Sequence, residues 1–300
     1  MEPIHKSVLL KEVLNSLRVK PGEKYIDATL GQAGHSLEIA RMGGLVLGIE
    51  ANPQTLSWVE GYLNNLKDPE LTNRIKSVRG NFRDLARIAA GSGFNGAHGV
   101  LFDLGLSTFE LKESGLGLSF LKDEPLDMRF DPESQEVTAA GLINSLDKGE
   151  LYGIFIKFGE ERDAERIVSA IVRGRRIKKI ETSCDLVALI DSAYQPKLPG
   201  HGLTGHLAKV FQALRIAVNE ELESLKDALP QAFEVLQSGG RVCVISFHSL
   251  EDRIVKETFN RWAEEGLGTV LSKRPVAAGE KELKENRSGR SAKLRMFEKL

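Results

Sequence analysis

Tyr25-Ile26-Asp27-Ala28-Thr29-Leu30-Gly31-Gln32-Ala33-Gly34-His35-Ser36 reads as a buried strand, a tight glycine turn and a helix start. A chain that turns this sharply off a strand presents backbone N–H groups to whatever lies above the sheet. About twenty residues on, where a ribose-binding acid belongs, a second apolar run, Leu45-Val46-Leu47-Gly48-Ile49, ends in Glu50. A carboxylate there is placed to accept hydrogen bonds from ribose hydroxyls. Together the two features predict a nucleoside-containing ligand above an α/β sheet. A glycine turn also serves plain tight packing, so the decision rests on the rest of the chain.

Outward from that stretch, apolar positions Val8, Leu9, Val13, Leu14 and Leu17 fall near helical spacing and predict a short helix before the first strand. Downstream, Pro53 suits the start of a helix. Ile75 to Val78 is a weak third strand, and Gly80-Asn81-Phe82 leads into a helix ending at Gly91. Gly99-Val100-Leu101-Phe102-Asp103-Leu104-Gly105 is a strong fourth strand. Strands alternating with helices at this pace mean a mostly parallel, doubly wound sheet. After Gly105 the rhythm breaks into a Gly/Ser/Asp/Pro-rich stretch. From Thr138 to Tyr194 the pattern is helical, with Thr138 and Thr182 as N-caps. Leu207 to Leu236 reads as two helices with Asn219-Glu220-Glu221 on the exposed side. Arg241 to Phe247 is a fifth buried strand, so the sheet resumes. Val270-Leu271 is a short strand, and Lys293 to Phe297 alternates like an edge strand. The expected organisation is a discontinuous α/β domain, residues 1–110 and 206–300, carrying a helical insertion at 111–205.

Net charge is −1, which excludes a uniformly basic nucleic-acid binder. The only cysteines, Cys184 and Cys243, are far apart, which excludes a disulfide framework and a cysteine-based zinc site and fits a reducing compartment. No run of about eighteen apolar residues is present, and the N-terminus lacks an apolar signal core. A cytoplasmic protein with no membrane partner is expected. No histidine pair has helical metal-ligand spacing, so no metal site is expected.

A ligand over such a sheet sits beyond the carboxyl ends of the strands. The residues there are Gly31 to His35, Glu50 to Asn52, Gly80 to Phe82, Asp103 to Ser107 and Ser246 to Ser249. Phe82 can face an adenine ring, and Asp103 can bind an ammonium or an exocyclic amine. Ser246 or Ser249 can cap the helix after the fifth strand, with His248 at the mouth of the site. No G-x-S-x-G elbow supports a Ser/His/Asp hydrolase. Two segments, Arg162 to Lys179 and Lys273 to Lys299, concentrate basic residues and suggest contact with a polyanion.

Longer strings are more specific. His5 to Glu12, Asp27 to Gly31, Leu126-Asp127-Met128-Arg129, Phe158-Gly159-Glu160-Glu161-Arg162, Phe211 to Asn219, Ile245 to Arg253 and Asn286 to Arg295 resemble, in order and across the chain, the bacterial ribosomal RNA small-subunit methyltransferase H family. The resemblance implies a class I S-adenosylmethionine-dependent methyltransferase fold: a Rossmann-like, mostly parallel sheet with an antiparallel last strand and an inserted helical subdomain for RNA recognition. It implies transfer of a methyl group from S-adenosyl-L-methionine to N4 of a decoding-centre cytidine. The implied partner is small-subunit rRNA within an assembled or nearly assembled subunit, with a homodimer as a further assembly. Carried over by position, the cofactor would touch Ala33, Gly34, His35, Glu50, Phe82, Asp103 and Glu110. Asp103, Ser107 and His248 are the candidate catalytic residues.

The sequence departs from the family at several of these places. Ala33 replaces a glycine, which strains the turn if that residue needs a positive φ. Glu50 replaces an aspartate, and Glu110 a neutral amide. The usual arginine before Phe211 is missing from Gly205 to Val210, where Lys209 stands in without the bidentate fork. These changes keep open a methyltransferase of another RNA or DNA base, and a cofactor- and RNA-binding paralogue with impaired catalysis. A nicotinamide-dependent oxidoreductase fits the insertion and the tail less well.

Overall fold

The computed structural model describes residues 6–106, 110–111, 114–194 and 202–300. The chain divides into two units, Met1–Ser107 with Leu222–Leu300, and Thr108–Glu221.

The first unit is built on one seven-stranded sheet. Its strands are β1 (Lys24–Asp27), β2 (Leu45–Glu50), β3 (Ile75–Arg79), β4 (Ala97–Asp103), β5 (Leu236–Ser246), β6 (Gly268–Val270) and β7 (Lys293–Lys299). The spatial order is β3-β2-β1-β4-β5-β7-β6. The first five are parallel, β7 runs antiparallel to β5, and β6 antiparallel to β7. The strand order reverses beside β1, between β2 and β4, which is where an open α/β sheet leaves a crevice for a ligand. The segment Lys293 to Phe297 is therefore not an edge. Val242 pairs with Phe297 on one side and Val270 pairs with Phe297 on the other, so β6 takes the edge.

Both faces of the sheet are covered, as parallel strands require. Alternate residues feed two cores. Ile26, Val100, Phe102, Val242 and Val244 pack with Leu229, Phe259, Trp262 and Phe297. Tyr25, Leu101, Cys243 and Ile245 pack with Val13, Leu37, Ile39 and Val59. The helices of this unit are α1 (Leu10–Leu17), α2 (Gly34–Arg41), α3 (Pro53–Asn65), α4 (Pro69–Thr72) and α5 (Leu85–Ser92) before the insertion. Asn52 caps α3, accepting from Gln54 N–H at 2.9 Å, with Pro53 at the first helical position.

The second unit holds α6 (Ala139–Ser145), α7 (Lys148–Gly159), α8 (Ala164–Gly174), α9 (Ser183–Ala193) and α10 (Gly202–Asn219). Thr138 and Thr182 cap α6 and α9, the latter in a capping box with Asp185. The segment 206–219, expected in the α/β domain, belongs to this unit instead. The cause is close packing of α10 on α7: a Cβ at Gly159 would lie 2.8 Å from the Lys209 carbonyl oxygen, and Gln212 donates to the Phe158 carbonyl at 3.0 Å.

Asn219 is also not on an exposed side. It is buried, accepts from Phe130 N–H at 2.8 Å and donates to the Met128 carbonyl at 2.7 Å. Glu221 pairs with Arg215 at 2.8 Å, and Glu220 breaks the helix with φ 49°. The chain then returns to the first unit through α11 (Glu221–Val235), α12 (Ser249–Glu264) and α13 (Glu280–Glu285).

Candidate functional site

The carboxyl ends of β1, β2 and β4 bring one set of side chains together. Asp27 ends β1 and is buried. Its Oδ2 accepts from the Ser36 hydroxyl at 2.7 Å and its Oδ1 from Thr29 N–H at 3.3 Å. The Thr29 hydroxyl in turn accepts from Asp103 N–H at 2.7 Å, which ties the end of β4 to the turn after β1. Burial pushes Asp27 up to about 6, against the lowering effect of its two hydrogen bonds.

The turn itself is left-handed at two residues, Gly31 with φ 50° and Ala33 with φ 62°. The strain anticipated for alanine is therefore present. Ala33 is nevertheless fully buried, its methyl packed in the core under α2. It offers α2 no side-chain cap, so the first N–H groups of the helix, Gly34 and His35, receive no acceptor from the capping residue. Glu50 reaches across from β2. Its Oε2 accepts from Gly31 N–H at 2.9 Å and its Oε1 from Asn52 N–H at 2.8 Å. The extra methylene over aspartate lets one carboxylate brace both turns.

His35 and Asp103 meet at 3.5 Å, Nδ1 to Oδ2. His35 Nε2 lies 3.1 Å from the Val8 carbonyl, which can only accept, so Nε2 carries the hydrogen and Nδ1 presents a lone pair. Burial lowers the His35 imidazole to about 4. Asp103 Oδ1 is buried without a partner. Burial first, then the Asp27 and Glu251 carboxylates, push Asp103 well above the usual carboxylate range. The site thus brings Asp103 together with the unprotonated Nδ1 of His35. Gly105 follows with φ 111°, in a region that favours glycine, and the Phe247 ring lies against it.

Phe82 opens the segment after β3 and stands edge-on to Phe102, with ring centroids 5.8 Å apart. His248, rather than Ser246 or Ser249, caps α12. Its Nδ1 accepts from Glu251 N–H at 3.4 Å, and Glu251 returns a bond to Phe247 N–H at 2.8 Å. Its ring is thereby turned onto its own helix. Ser107 lies outside the described residues. Glu110 belongs to the other unit, where it is buried and its carbonyl accepts from the Ser114 hydroxyl at 2.6 Å.

Thr29, Ser36 and the Val8 carbonyl were not assigned roles from the sequence. Thr29 and Ser36 stand inside the opening stretch, and their hydroxyls two and nine residues from Asp27 were the available signal. The second basic segment is partly used inside the fold. Lys293 and Arg295 pair with Asp252, and Lys299 donates to the Phe233 and Leu236 carbonyls. In the first segment, Arg175 donates to the Ile143 carbonyl and Lys178 pairs with Asp185. Arg162, Arg173, Arg176 and Lys179 make no ion pair or hydrogen bond among the described residues. Among the described residues no helix is long and apolar enough to cross a membrane.

This sheet, with its antiparallel β7 and a nucleoside-ready crevice at the reversal of strand order, defines an S-adenosylmethionine-dependent class I methyltransferase. The residues fit that cofactor: an orphaned carboxylate oxygen for a cationic amine, an uncapped helix for a carboxylate, and Glu50 for a ribose. The chain belongs to the MraW methylase family, whose profile matches residues 2–300. It is 39% identical over 297 residues to the ribosomal RNA small subunit methyltransferase H of Coprothermobacter proteolyticus, covering 98% of this chain and 96% of that one. The protein of the same name from Symbiobacterium thermophilum is 40% identical over 315 residues, covering 99% and 96%. That from Halothermothrix orenii is 38% identical over 315 residues, covering 99% and 98%.

Proposed function

We propose that this protein methylates N4 of a decoding-centre cytidine in small-subunit ribosomal RNA, in the cytoplasm, on an assembled or nearly assembled subunit. Relatives bearing the small-subunit rRNA methyltransferase name along the whole chain support the RNA substrate. The observation that carries the site is the acceptor pair of Asp103 and His35 Nδ1, held beside the turn after β1.

S-adenosylmethionine supplies an electrophilic methyl group when bound. Asp103 and His35 would hold its amino group, Gly34 and His35 N–H its carboxylate, Glu50 its ribose hydroxyls and Phe82 its adenine. Cytosine N4 is a poor nucleophile because its lone pair is delocalised into the ring. Attack requires that amine aligned with the methyl group and its proton accepted as charge develops. Asp103 and the turn beginning at Gly105 are assigned to amine positioning, with the base taken out of its stack. The capping geometry of His248 favours a supporting role, orienting the loop after β5.

The helical unit is assigned to RNA contact. Arg173, Arg176 and Lys179 flank Ile177, which is 90% exposed. Phosphate attraction by such a cluster supplies affinity without sequence preference. The test is nucleoside mass mapping of small-subunit rRNA from cells lacking the protein, with methyl transfer to purified small subunits, naked rRNA and DNA in parallel. Loss of N4-methylcytidine at one decoding-centre position, restored by the protein, is the expected result. Unchanged rRNA, or a different nucleoside lost, overturns the proposal.

A further inference from the structure

The helical unit builds a polar cluster of its own. The turn between α7 and α8 begins at Glu160, left-handed with φ 47°, and is closed by Glu161 N–H donating to the Phe155 carbonyl at 3.1 Å. This turn points Glu161 inward, and its side chain is fully buried. Oε1 of Glu161 accepts from Asp163 N–H at 2.9 Å. Oε2 has no hydrogen-bond partner. It lies 3.0 Å from Nδ1 of His206, near the start of α10. Asp163 Oδ2 lies 3.7 Å from the other ring nitrogen of His206. The Tyr194 hydroxyl donates to Asp163 Oδ2 at 3.1 Å, and the Tyr194 ring stacks on His206 with centroids 4.6 Å apart.

Among the described residues Oε2 meets only the His206 ring, whose Nδ1 also lies 3.1 Å from the Tyr194 hydroxyl, and a buried carboxylate in that position costs several kcal/mol unless a positive charge faces it, as a bound cation would. Glu161, Asp163 and His206 each offer one donor atom, all within 4.8 Å of one another. Donors sharing one ion with bonds of about 2.1 Å lie roughly 3–4 Å apart, so Glu161 Oε2 and His206 Nδ1 are already within range, while Asp163, which faces the other ring nitrogen, must turn towards Nδ1 to share the ion. Asp163, with a side chain 48% exposed, is the adjustable third ligand and opens the remaining position to water. The neighbours act as an outer shell. The Asp163 backbone fixes one oxygen of Glu161, and Tyr194 orients both His206 and Asp163.

We propose that Glu161, Asp163 and His206 form a site for one divalent transition-metal ion, Zn²⁺ or Mn²⁺, that pins the α7–α8 turn to the first turns of α10. One imidazole with two carboxylates suits these ions better than Mg²⁺, which prefers an all-oxygen octahedron. The ligands come from two helix ends more than forty residues apart in sequence. The helical histidine spacing whose absence argued against a metal therefore does not apply here.

The experiment uses the full chain after chelation and dialysis. Mn²⁺ is followed by electron paramagnetic resonance. Zn²⁺ is followed by calorimetry in a Cys184→Ser background, because Cys184 is an exposed thiol. One ion per chain is expected, with a raised melting temperature. Binding should be at least about tenfold weaker in Glu161→Gln and in Asp163→Asn. The second variant lies on the surface and keeps the test valid if the first fails to fold. Three results overturn the proposal: no saturable binding of either ion by about 1 mM, equal binding by the variants, or a His206 imidazole spectrum unchanged by either ion, as in a plain His206–Glu161 ion pair. None of these outcomes depends on methyl transfer.

Discussion

Asp27→Asn should stabilise the α/β unit at neutral pH, by an amount that depends on pH in a defined way. In the folded chain Asp27 titrates at about 6, against 3.8 unfolded. At about 1.4 kcal/mol per pKa unit, its ionised form costs the fold about 3 kcal/mol above pH 6. Between pH 3.8 and 6 the folded state binds more protons than the unfolded one. This contribution is therefore fully favourable below the unfolded value and is lost as pH rises through the folded one. His35 works in the opposite sense. Its folded value of about 4 lies below 6.5, so the unfolded state binds more protons in that window. About 3 kcal/mol of stability is present above pH 6.5 and is lost as pH falls towards 4.

The two slopes nearly cancel in the natural chain, and the substitution exposes the second. Asparagine keeps the Thr29 N–H bond through its oxygen, and its amide can donate to the Ser36 hydroxyl, reversing that bond. The variant should match the natural protein near pH 4 and exceed it by about 2–3 kcal/mol at pH 7.5. Relief of the repulsion on Asp103 acts in the same direction. Urea titration by tryptophan fluorescence reads the right unit, since Trp58 and Trp262 both lie in it. A stability difference independent of pH, or a variant less stable at pH 7.5, would refute the reasoning.

Ala33→Gly should change stability by less than about 1 kcal/mol. Relief of the left-handed strain is worth about 1 kcal/mol, but a buried methyl worth about 0.8 kcal/mol is lost and the unfolded chain gains freedom worth about 0.4–1 kcal/mol; a stabilisation above 2 kcal/mol in urea melts would contradict that balance. S-adenosylmethionine should bind with proton release and tighten as pH rises through the Asp103 titration, because only the ionised carboxylate pairs with the ammonium by charge. Calorimetry in phosphate and in Tris should then give different heats, whereas equal heats, or full affinity in Asp103→Asn, would remove Asp103 from the site. Alanine at Arg173, Arg176 or Lys179 should each reduce the slope of log affinity for rRNA against log salt by about 1; filter binding at several salt concentrations checks this, and three unchanged slopes would move the RNA surface elsewhere.

Local signals were legible where one segment decides its own state. The run Leu45–Glu50 became β2, the run Gly99–Gly105 became β4 with both ends two residues earlier, and Pro53, Thr138 and Thr182 start helices as their chemistry requires. What stayed hidden depends on a partner distant in sequence. Alternation in Lys293–Phe297 looks the same at an edge or inside, and only pairing with β6 distinguishes them. Asn219 is polar and follows a helix, but its bonds go to Met128 and Phe130, about ninety residues away. The His248 cap was missed because histidine is an uncommon capping residue. Its ring nitrogen does what a serine oxygen usually does.

The N-terminal string shows how such distant contacts bear on chemistry. The spacing places Val8 and Leu9 in the first helix, yet both precede α1, where the Val8 carbonyl sets the tautomer of His35 and Leu9 N–H is held by Glu282 at 2.7 Å. Asn286 binds the Lys6 carbonyl at 2.7 Å. The two ends of the chain thus clasp one another to hold a backbone carbonyl against the ring that faces Asp103. With Nε2 committed to Val8, Nδ1 can only accept, and so can an ionised Asp103. Asp27 and Glu251 add negative charge around them. Ionising Asp103 among these acceptors is unfavourable in the empty crevice and becomes favourable when a cationic donor enters, which is why binding is expected to release a proton. The instability stored at Asp27 and Asp103 is then expected to make the site favour a positively charged cofactor over a neutral nucleoside.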